Sequence, residues 1–193
     1  MKVRTDKNIY IIAGCNGAGK TTASYNILPE ILDCKEFVNA DEIARGLSPF
    51  QPERVAFEAG RLMLLRIEEL MKMEMDFAIE TTLATKIYVQ KIQRAQAEGY
   101  TVSLLFFWLP TADMAKERVR LRVSEGGHHI ADDVIERRYI SGIKNLFGLY
   151  MPICDSMTLF DNSDEIPILV MKKSSRGIQI FDEPVFDKIK NQL

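Results

Sequence analysis

The stretch Gly14-Cys15-Asn16-Gly17-Ala18-Gly19-Lys20-Thr21 follows a continuous apolar run, residues 9–13, and precedes helix-forming sequence. It matches the pattern G-x-x-x-x-G-K-[ST], in which glycines allow a tight turn that aims successive backbone N–H groups at phosphate oxygens. A buried strand before the pattern and a helix after it are the context in which it binds phosphate. An incidental glycine-rich turn does not explain that context, so the sequence predicts a phosphate-binding loop.

The loop predicts particular contacts with a nucleoside triphosphate. The partial positive charge at the start of the following helix attracts phosphate. Lys20 is expected to contact the β- and γ-phosphates, and the hydroxyl of Thr21 is expected to ligate Mg²⁺. The predicted nucleotide-binding residues are Gly14, Cys15, Asn16, Gly17, Ala18, Gly19, Lys20, Thr21 and Thr22.

The composition of the chain limits the other functions. Its 193 residues, 47% hydrophobic and 27% charged, suit one α/β domain. A formal net charge of −2 gives no general attraction to nucleic acid or to an anionic membrane. Three cysteines without a C-x-x-C pair argue against a zinc site, and no apolar run is long enough for a membrane span. Because the charged segment 1–8 is not a signal peptide, we expect a cytoplasmic protein.

Apolar runs alternate with longer segments of helical period, a pattern typical of a parallel sheet flanked by helices. We predict an α/β fold of the P-loop NTPase class, a three-layer sandwich with a mainly parallel sheet, nucleotide-kinase-like, with a helical lid at about 115–140. One domain should cover residues 1–193. Strands are expected at 9–13, 36–39, 76–81, 101–109, 157–160, 166–172 and 177–181, and helices at 19–28, 52–75, 85–98, 111–125, 132–150 and from 184.

Several local features make this prediction testable. Pro29 is expected to end the first helix, and Thr111 to cap the helix that follows it. The strand 101–109 should be buried throughout. The long helix from Pro52 should bury an apolar face that includes Val55, Phe57, Leu62, Leu65 and Met71, and Met63, Met71, Met73 and Met75 are expected in the core.

Two carboxylates follow apolar strands. Asp41 comes after a short strand expected beside the phosphate loop, where it could accept a hydroxyl proton or contribute to the surroundings of Mg²⁺. Aspartate is also a common helix N-cap, here for residues 42–45, and capping can coexist with catalysis. Glu80, with Thr81, ends another strand at the edge where open α/β sheets bind ligands. The alternative for Glu80 is a solvated strand end.

Five arginines flank the segment Gly126-Gly127-His128-His129. They are Arg118, Arg120, Arg122, Arg137 and Arg138. Two arginine-bearing helices joined at a Gly-Gly break indicate a lid over the triphosphate, in which guanidinium groups stabilise the transferring charge. The alternative is a solvated face paired with nearby glutamates. We do not expect His128 and His129 to bind a metal.

A phosphate loop alone does not distinguish a switch, a motor and a kinase. The chain has no guanine-reading N-K-x-D motif and lacks the length for the accessory domains of a motor. A small kinase needs only the loop, an acid or base for the substrate, and a basic lid. The rival hypothesis is a regulatory NTP-binding module that acts through a protein partner, and a polynucleotide kinase is disfavoured by the net charge.

Further motifs accompany the loop in a fixed order. They are Phe37-Val38-Asn39-Ala40-Asp41-Glu42-Ile43-Ala44, Gly46-Leu47-Ser48-Pro49, Glu80-Thr81-Thr82-Leu83, Arg118-Val119 with Arg122-Val123, Gly126-Gly127-His128, Arg137-Arg138-Tyr139 and Asn145-Leu146. Over residues 8–163 the chain thereby resembles the zeta-toxin family of P-loop kinases, and in particular the chromosomal zeta-toxin-like predicted ATPases.

The resemblance implies ATP as the phosphoryl donor and, for toxin members, a hydroxyl of UDP-N-acetylglucosamine as the acceptor. It implies that Asp41 is the general base, Lys20 the phosphate-binding lysine and Glu80 a substrate-binding glutamate. The predicted catalytic residues are Asp41, Lys20, Arg118 and Arg122, and the predicted substrate-binding residues are Asp41, Glu80, Thr81, Arg137 and Arg138. The toxins carry a basic residue shortly after the glutamate, whereas residues 81–85 are uncharged here. The acceptor and an antitoxin-like partner therefore stay open.

Overall fold

The computed structural model describes residues 7–193, so most of the predicted N-terminal segment 1–8 lies outside the described part. The strands are β1 (Lys7–Gly14), β2 (Phe37–Val38), β3 (Phe77–Thr81), β4 (Tyr100–Trp108), β5 (Ser156–Asp161), β6 (Ile168–Ser174) and β7 (Gly177–Ile180). The helices are α1 (Lys20–Glu30), α2 (Ala40–Leu47), α3 (Ala56–Lys72), α4 (Ile87–Ala97), α5 (Ala112–Ser124), α6 (Asp132–Asn145), α7 (Met151–Ile153) and α8 (Glu183–Lys190). A 3₁₀ turn at Pro52–Val55, predicted as helix, precedes α3, and a π turn at Leu146–Tyr150 joins α6 to α7.

All these strands form one sheet in the order β2-β3-β1-β4-β5-β6-β7. The strands β1 to β5 pair in parallel, whereas β6 and β7 are added antiparallel. The predicted α/β P-loop NTPase fold with a mainly parallel sheet is therefore confirmed. Because parallel strands end at the same edge, the phosphate loop, the start of α2, Glu80 and the loop after β5 meet there.

The centre of the core is β1, in which Ile11, Ile12 and Ala13 are fully buried. Its neighbours β3 and β4 pair with it on both sides. The prediction that residues 101–109 are buried throughout is wrong, because Thr101 is exposed and Leu105 is partly exposed. Only alternate residues of the first half of β4 are buried, so one face of the sheet is less fully covered there.

The helix α1 runs through Pro29 to Glu30, so the prediction that Pro29 ends it is wrong. A proline has no N–H donor, and the bond lost here would have joined the carbonyl oxygen of Tyr25 in the last turn. The N–H of Ile31 still donates to the carbonyl oxygen of Ile27 at 3.1 Å, which completes that turn.

The buried face of α3 differs from the predicted one. The predicted apolar positions Phe57, Leu62 and Leu65 are exposed. The residues that α3 buries recur every three or four positions on one face, and they are Ala59, Met63, Ile67, Leu70 and Met71. Met73 and Met75, also predicted in the core, are exposed because α3 ends before them in a turn.

The predicted lid region consists of α5, a connecting loop and α6. The Thr111 side chain accepts a hydrogen bond from the N–H of Met114, which confirms Thr111 as the N-cap of α5. In the loop, a Cβ atom added to Gly127 would lie 2.7 Å from Cγ of Arg122, so only glycine lets the chain turn back this closely. Within residues 7–193 no helix combines the length and hydrophobicity needed to cross a bilayer.

Candidate active site

The phosphate loop connects β1 to α1 and is built on three glycines. Gly17 and Gly19 have φ angles of +78° and +77°, in the left-handed region that favours glycine. A Cβ atom on Gly14 would lie 2.2 Å from the carbonyl oxygen of Phe107, so the loop packs directly on β4. These constraints turn the backbone over the N-terminus of α1, whose first turn contains no acidic residue. The arrangement is that of an anion site.

Lys20 and Thr21 meet Glu80 beneath the loop. The Nζ of Lys20 donates a hydrogen bond of 2.9 Å to the carbonyl oxygen of Cys15 and lies 3.7 Å from Oε1 of Glu80. The Oγ1 of Thr21 donates to Oε2 of Glu80 at 2.8 Å. A buried ammonium group, a hydroxyl and a carboxylate are therefore held together at the start of α1.

Glu80 is only 9% exposed, so the alternative of a solvated strand end is wrong. Its Oε2 also accepts a hydrogen bond of 3.0 Å from Nδ2 of Asn39. Burial raises the pKa of Glu80, and the opposing effects of Lys20 and the Thr21 hydroxyl keep that rise smaller. Its partners place this carboxylate between the first turn of α1 and the N-cap of α2. Thr81 instead accepts a bond from the N–H of Leu83 within the turn after β3.

Asp41 lies in the first turn of α2 and does not cap it. The cap is Asn39, whose Oδ1 accepts a 2.8 Å hydrogen bond from the N–H of Asp41. The alternative of Asp41 as an N-cap is therefore wrong. Its carboxylate lies near the lid instead, with Oδ2 3.8 Å from Nε2 of His128. Asn39 was not predicted as the cap, although an asparagine before a helix is a common capping signal.

Two cavities of about 380 Å³ each open near Asp41. The loop cavity is lined by the phosphate loop and by Asp41, Glu80, Arg118 and Arg122. The histidine cavity is lined by Asp41, Glu53, His128, His129 and Arg138 together with small apolar residues of α2, α3 and the lid. Asp41 lines both cavities.

The predicted lid arginines occupy different environments. Arg118 donates from Nη1 to the carbonyl oxygen of Asn162 and from Nη2 to that of Ser163, each at 2.7 Å. The Nη2 of Arg122 donates to the carbonyl oxygen of His128 at 3.5 Å, while its buried Nε has no partner among the described residues. Arg118 therefore braces the loop after β5, whereas Arg122 makes one long hydrogen bond within the lid region and leaves its Nε without a partner among the described residues.

Only one member of the second arginine pair reaches a cavity. The Nη1 of Arg138 donates to Oδ1 of Asn16 at 3.2 Å and so links α6 to the phosphate loop. Arg137 is exposed and lines neither cavity, so it does not join the predicted site. Arg120 forms an ion pair with Asp132, as the solvated-face alternative expects.

His128 and His129 line the histidine cavity. The sequence predicted no role for them and only that they do not bind a metal. Burial lowers the pKa of His128, and nearby Arg122 lowers it further, although Asp41 acts in the opposite direction. His128 is therefore neutral near pH 7. Among the described residues no group of three or more His, Cys, Asp and Glu side chains could hold a metal by itself. The signal for both histidines was their position directly after the glycine pair.

Asn162, after β5, was also missed. Its Nδ2 donates to the carbonyl oxygen of Ala18 at 2.7 Å, and a Cβ atom on Gly19 would lie only 2.6 Å from that nitrogen. Because its own carbonyl oxygen accepts the bond from Arg118, Asn162 connects the phosphate loop to the lid. A buried asparagine at the carboxyl end of a strand was the available signal.

A model of one protein family, described as Zeta toxin, matches residues 1–147. The chain belongs to the zeta toxin family. An uncharacterized protein of Haemophilus influenzae is 30% identical over 128 residues, which are 65% of this chain and 88% of that protein. The family membership confirms the resemblance found in the sequence.

Solved structures share the fold of this chain. A chain of the AvrRxo1-ORF1:-ORF2 crystal structure with ATP superposes with a TM-score of 0.79 at 16% identity, covering 95% of this chain and 63% of that one. This chain therefore spans less than two thirds of that protein. A chain of the PezAT chromosomal toxin-antitoxin system of Streptococcus pneumoniae gives a TM-score of 0.66 at 15% identity, covering 100% of this chain and 80% of that one.

Proposed function

We propose that this protein is a kinase that transfers the γ-phosphoryl group of Mg·ATP to a hydroxyl group of a small molecule. The observation that carries the proposal is the position of Asp41 on the wall shared by the loop cavity and the histidine cavity. A phosphoryl transfer requires a donor site and an acceptor site that meet at a proton-accepting group. ATP would occupy the loop cavity and the acceptor would occupy the histidine cavity.

The loop cavity supplies the groups that a triphosphate needs. The backbone N–H groups of the loop would bind phosphate oxygens, and Lys20 would exchange its bond to Cys15 for the β- and γ-phosphates. The residues fit Mg²⁺, because Oγ1 of Thr21 and the carboxylate of Glu80 are hard oxygen donors 2.8 Å apart. When bound, the ion would neutralise charge on the phosphates. Glu80 would thus serve the metal and not the acceptor.

Asp41 would act on the acceptor. Its carboxylate would take the proton from the hydroxyl group as that oxygen forms a bond to the γ-phosphorus and the bond from phosphorus to the β,γ-bridging oxygen breaks. The products are a phosphate monoester and ADP. Arg122 lines the loop cavity, and its guanidinium group would donate to the transferring group, where charged donors stabilise the transition state.

The product distinguishes a kinase from a regulatory module. Purified protein with Mg·ATP and an acceptor should yield one phosphorylated acceptor for each ADP, as measured by mass spectrometry and ³¹P spectroscopy. UDP-N-acetylglucosamine, which the family resemblance suggests, is the first acceptor to assay. ADP with only inorganic phosphate, under every acceptor tested, would favour a regulatory NTP-binding module and contradict the proposal.

A protein partner of the antitoxin type is a further part of this proposal. The similar Streptococcus pneumoniae chain comes from a toxin-antitoxin system. If such a partner restrains the kinase in the cytoplasm, expression of the chain alone should slow growth, and Lys20→Ala should abolish that effect. Equal growth with the wild-type and variant chains would argue against a toxin.

A further inference from the structure

We propose that the acceptor is a compact hydroxyl compound without net negative charge, and hence not a sugar nucleotide. The inference rests on the proposed function and specifies the substrate class of the same site. It is drawn from the charges and the size of the histidine cavity.

The ionised side chains of this cavity are mainly acidic. Asp41 and Glu53 contribute two carboxylates. Among the described residues that line it, Arg138 is the one with a permanent positive charge. His128 stays neutral because burial lowers its pKa. A diphosphate group in this cavity would face two like charges and only one permanent positive charge, an unfavourable balance.

The guanidinium group of Arg138 already has a hydrogen-bond partner outside the histidine cavity. Arg138 already donates to Oδ1 of Asn16 in the phosphate loop. This contact places its charge at the donor side of the site, where the ATP phosphates compete for it. Arginine and lysine are frequent partners of phosphate groups in proteins, and among the described residues the cavity is lined by neither apart from Arg138.

The apolar lining favours a small ring or a short carbon chain. It consists of small or branched side chains, among them Ala44, Pro52, Ala56, Ile130 and Val134. A volume of about 380 Å³ is near the lower end of the range for ligand pockets, which is roughly 300–1,000 Å³. The lining therefore suits the C–H face of one ring-sized molecule, with a neutral or ammonium group directed to Glu53.

The test separates acceptors by charge without knowing their identity. A bacterial metabolite extract is freed of ATP and divided by ion exchange into anionic, neutral and cationic fractions. Each fraction is incubated with the protein, Mg²⁺ and γ-³²P-labelled ATP, and transfer of label to new compounds is measured. We expect labelled product in the neutral or cationic fraction. Label confined to the anionic fraction would overturn this inference and leave the kinase proposal standing, whereas no labelled product in any fraction would contradict both.

A charge reversal at Glu53 connects that result to the cavity. Glu53→Lys should lower transfer to the preferred neutral or cationic acceptor at least tenfold and leave the binding of ATP unchanged. Glu58→Lys is the matched control, because Glu58 is exposed on the neighbouring helix and lines neither cavity. Unchanged melting temperatures would exclude a folding defect. Equal transfer by the wild-type protein and Glu53→Lys would contradict the assignment of charge selectivity to this wall.

Discussion

The loop cavity and the histidine cavity have the same volume but different construction. Half of the residues that line the loop cavity come from one contiguous segment, and the phosphate-binding groups of that segment are backbone N–H donors with Lys20 and Thr21. The histidine cavity is assembled from α2, the turn before α3 and the lid, which are distant in sequence. Affinity for phosphate is therefore encoded locally, whereas acceptor selectivity depends on side chains that can change without disturbing the phosphate loop.

The largest effect is predicted for Asp41, the residue that lines both cavities. Asp41→Asn should lower turnover about 10²–10⁴-fold, the usual contribution of a positioned proton acceptor, and leave ATP affinity nearly intact. Turnover, Mg²⁺ dependence and ATP affinity should be measured on the same variant. Asp133→Asn, an exposed change on α6, is the control. Turnover close to that of the wild-type protein would remove Asp41 from the mechanism.

The next effect concerns the loop cavity alone. Lys20→Ala removes the point charge that the β- and γ-phosphates require, so ATP binding should weaken at least about tenfold, or ~1.4 kcal/mol. Titration calorimetry measures this directly. Exposed Lys86→Ala should bind ATP like the wild-type protein. If Lys20→Ala retained full affinity, the loop would not be the phosphate site.

A change at Glu80 tests whether its carboxylate serves the metal in the loop cavity or the acceptor. If it supports Thr21 and the metal, Glu80→Gln should raise the Mg²⁺ concentration for half-maximal activity about tenfold, because a charged oxygen ligand is lost. The KM for the acceptor should not change. A raised acceptor KM with normal Mg²⁺ dependence would return Glu80 to substrate binding. Glu42→Gln, exposed on α2, controls for a general loss of negative charge.

The smallest effect concerns the support of the phosphate loop. Asn162→Ala removes the hydrogen bond to Ala18, a loss of about 0.5–1.5 kcal/mol, so binding should weaken about two- to tenfold. The loss should be equal for ATP and inorganic tripolyphosphate, because the affected group is the loop and not a base pocket. Ser163→Ala should have no effect, since Ser163 contacts Arg118 only through its carbonyl oxygen. A loss for ATP alone would place Asn162 at the nucleoside.

The sequence predicted features formed by neighbouring residues better than features assembled from distant segments. The phosphate loop and the cap at Thr111 depend on neighbouring residues, so periodicity and spacing were sufficient to predict them. Periodicity did not identify the buried face of α3, because Phe57 and Leu65 are as apolar as the residues that pack inside. The prediction for Pro29 failed for a different reason, since α1 accommodates the proline in its last turn and extends to Glu30.

The sequence predicted which distant segments meet at the site, but not the individual contacts between them. The family resemblance assigned Glu80 to the substrate, but only the fold brings Thr21, 59 positions away, to its carboxylate. The sequence likewise did not distinguish the two neighbouring arginines of α6. In the structure Arg138 reaches Asn16, whereas Arg137 is exposed. Asn162 reaches the phosphate loop across 144 positions, and no spacing rule connects them.

The side-chain amide of Asn39 sets the separation between Asp41, which lines both cavities, and Glu80, which lines the loop cavity. Its oxygen fixes the backbone of Asp41 at 2.8 Å, and its nitrogen fixes the carboxylate of Glu80 at 3.0 Å. Aspartate caps helices as well as asparagine does, but here it would lose the donor and face Glu80 with a second negative charge. The position therefore excludes the substitution that helix capping alone would tolerate. The side chains that select the acceptor can therefore change while the separation between Asp41 and Glu80 stays the same.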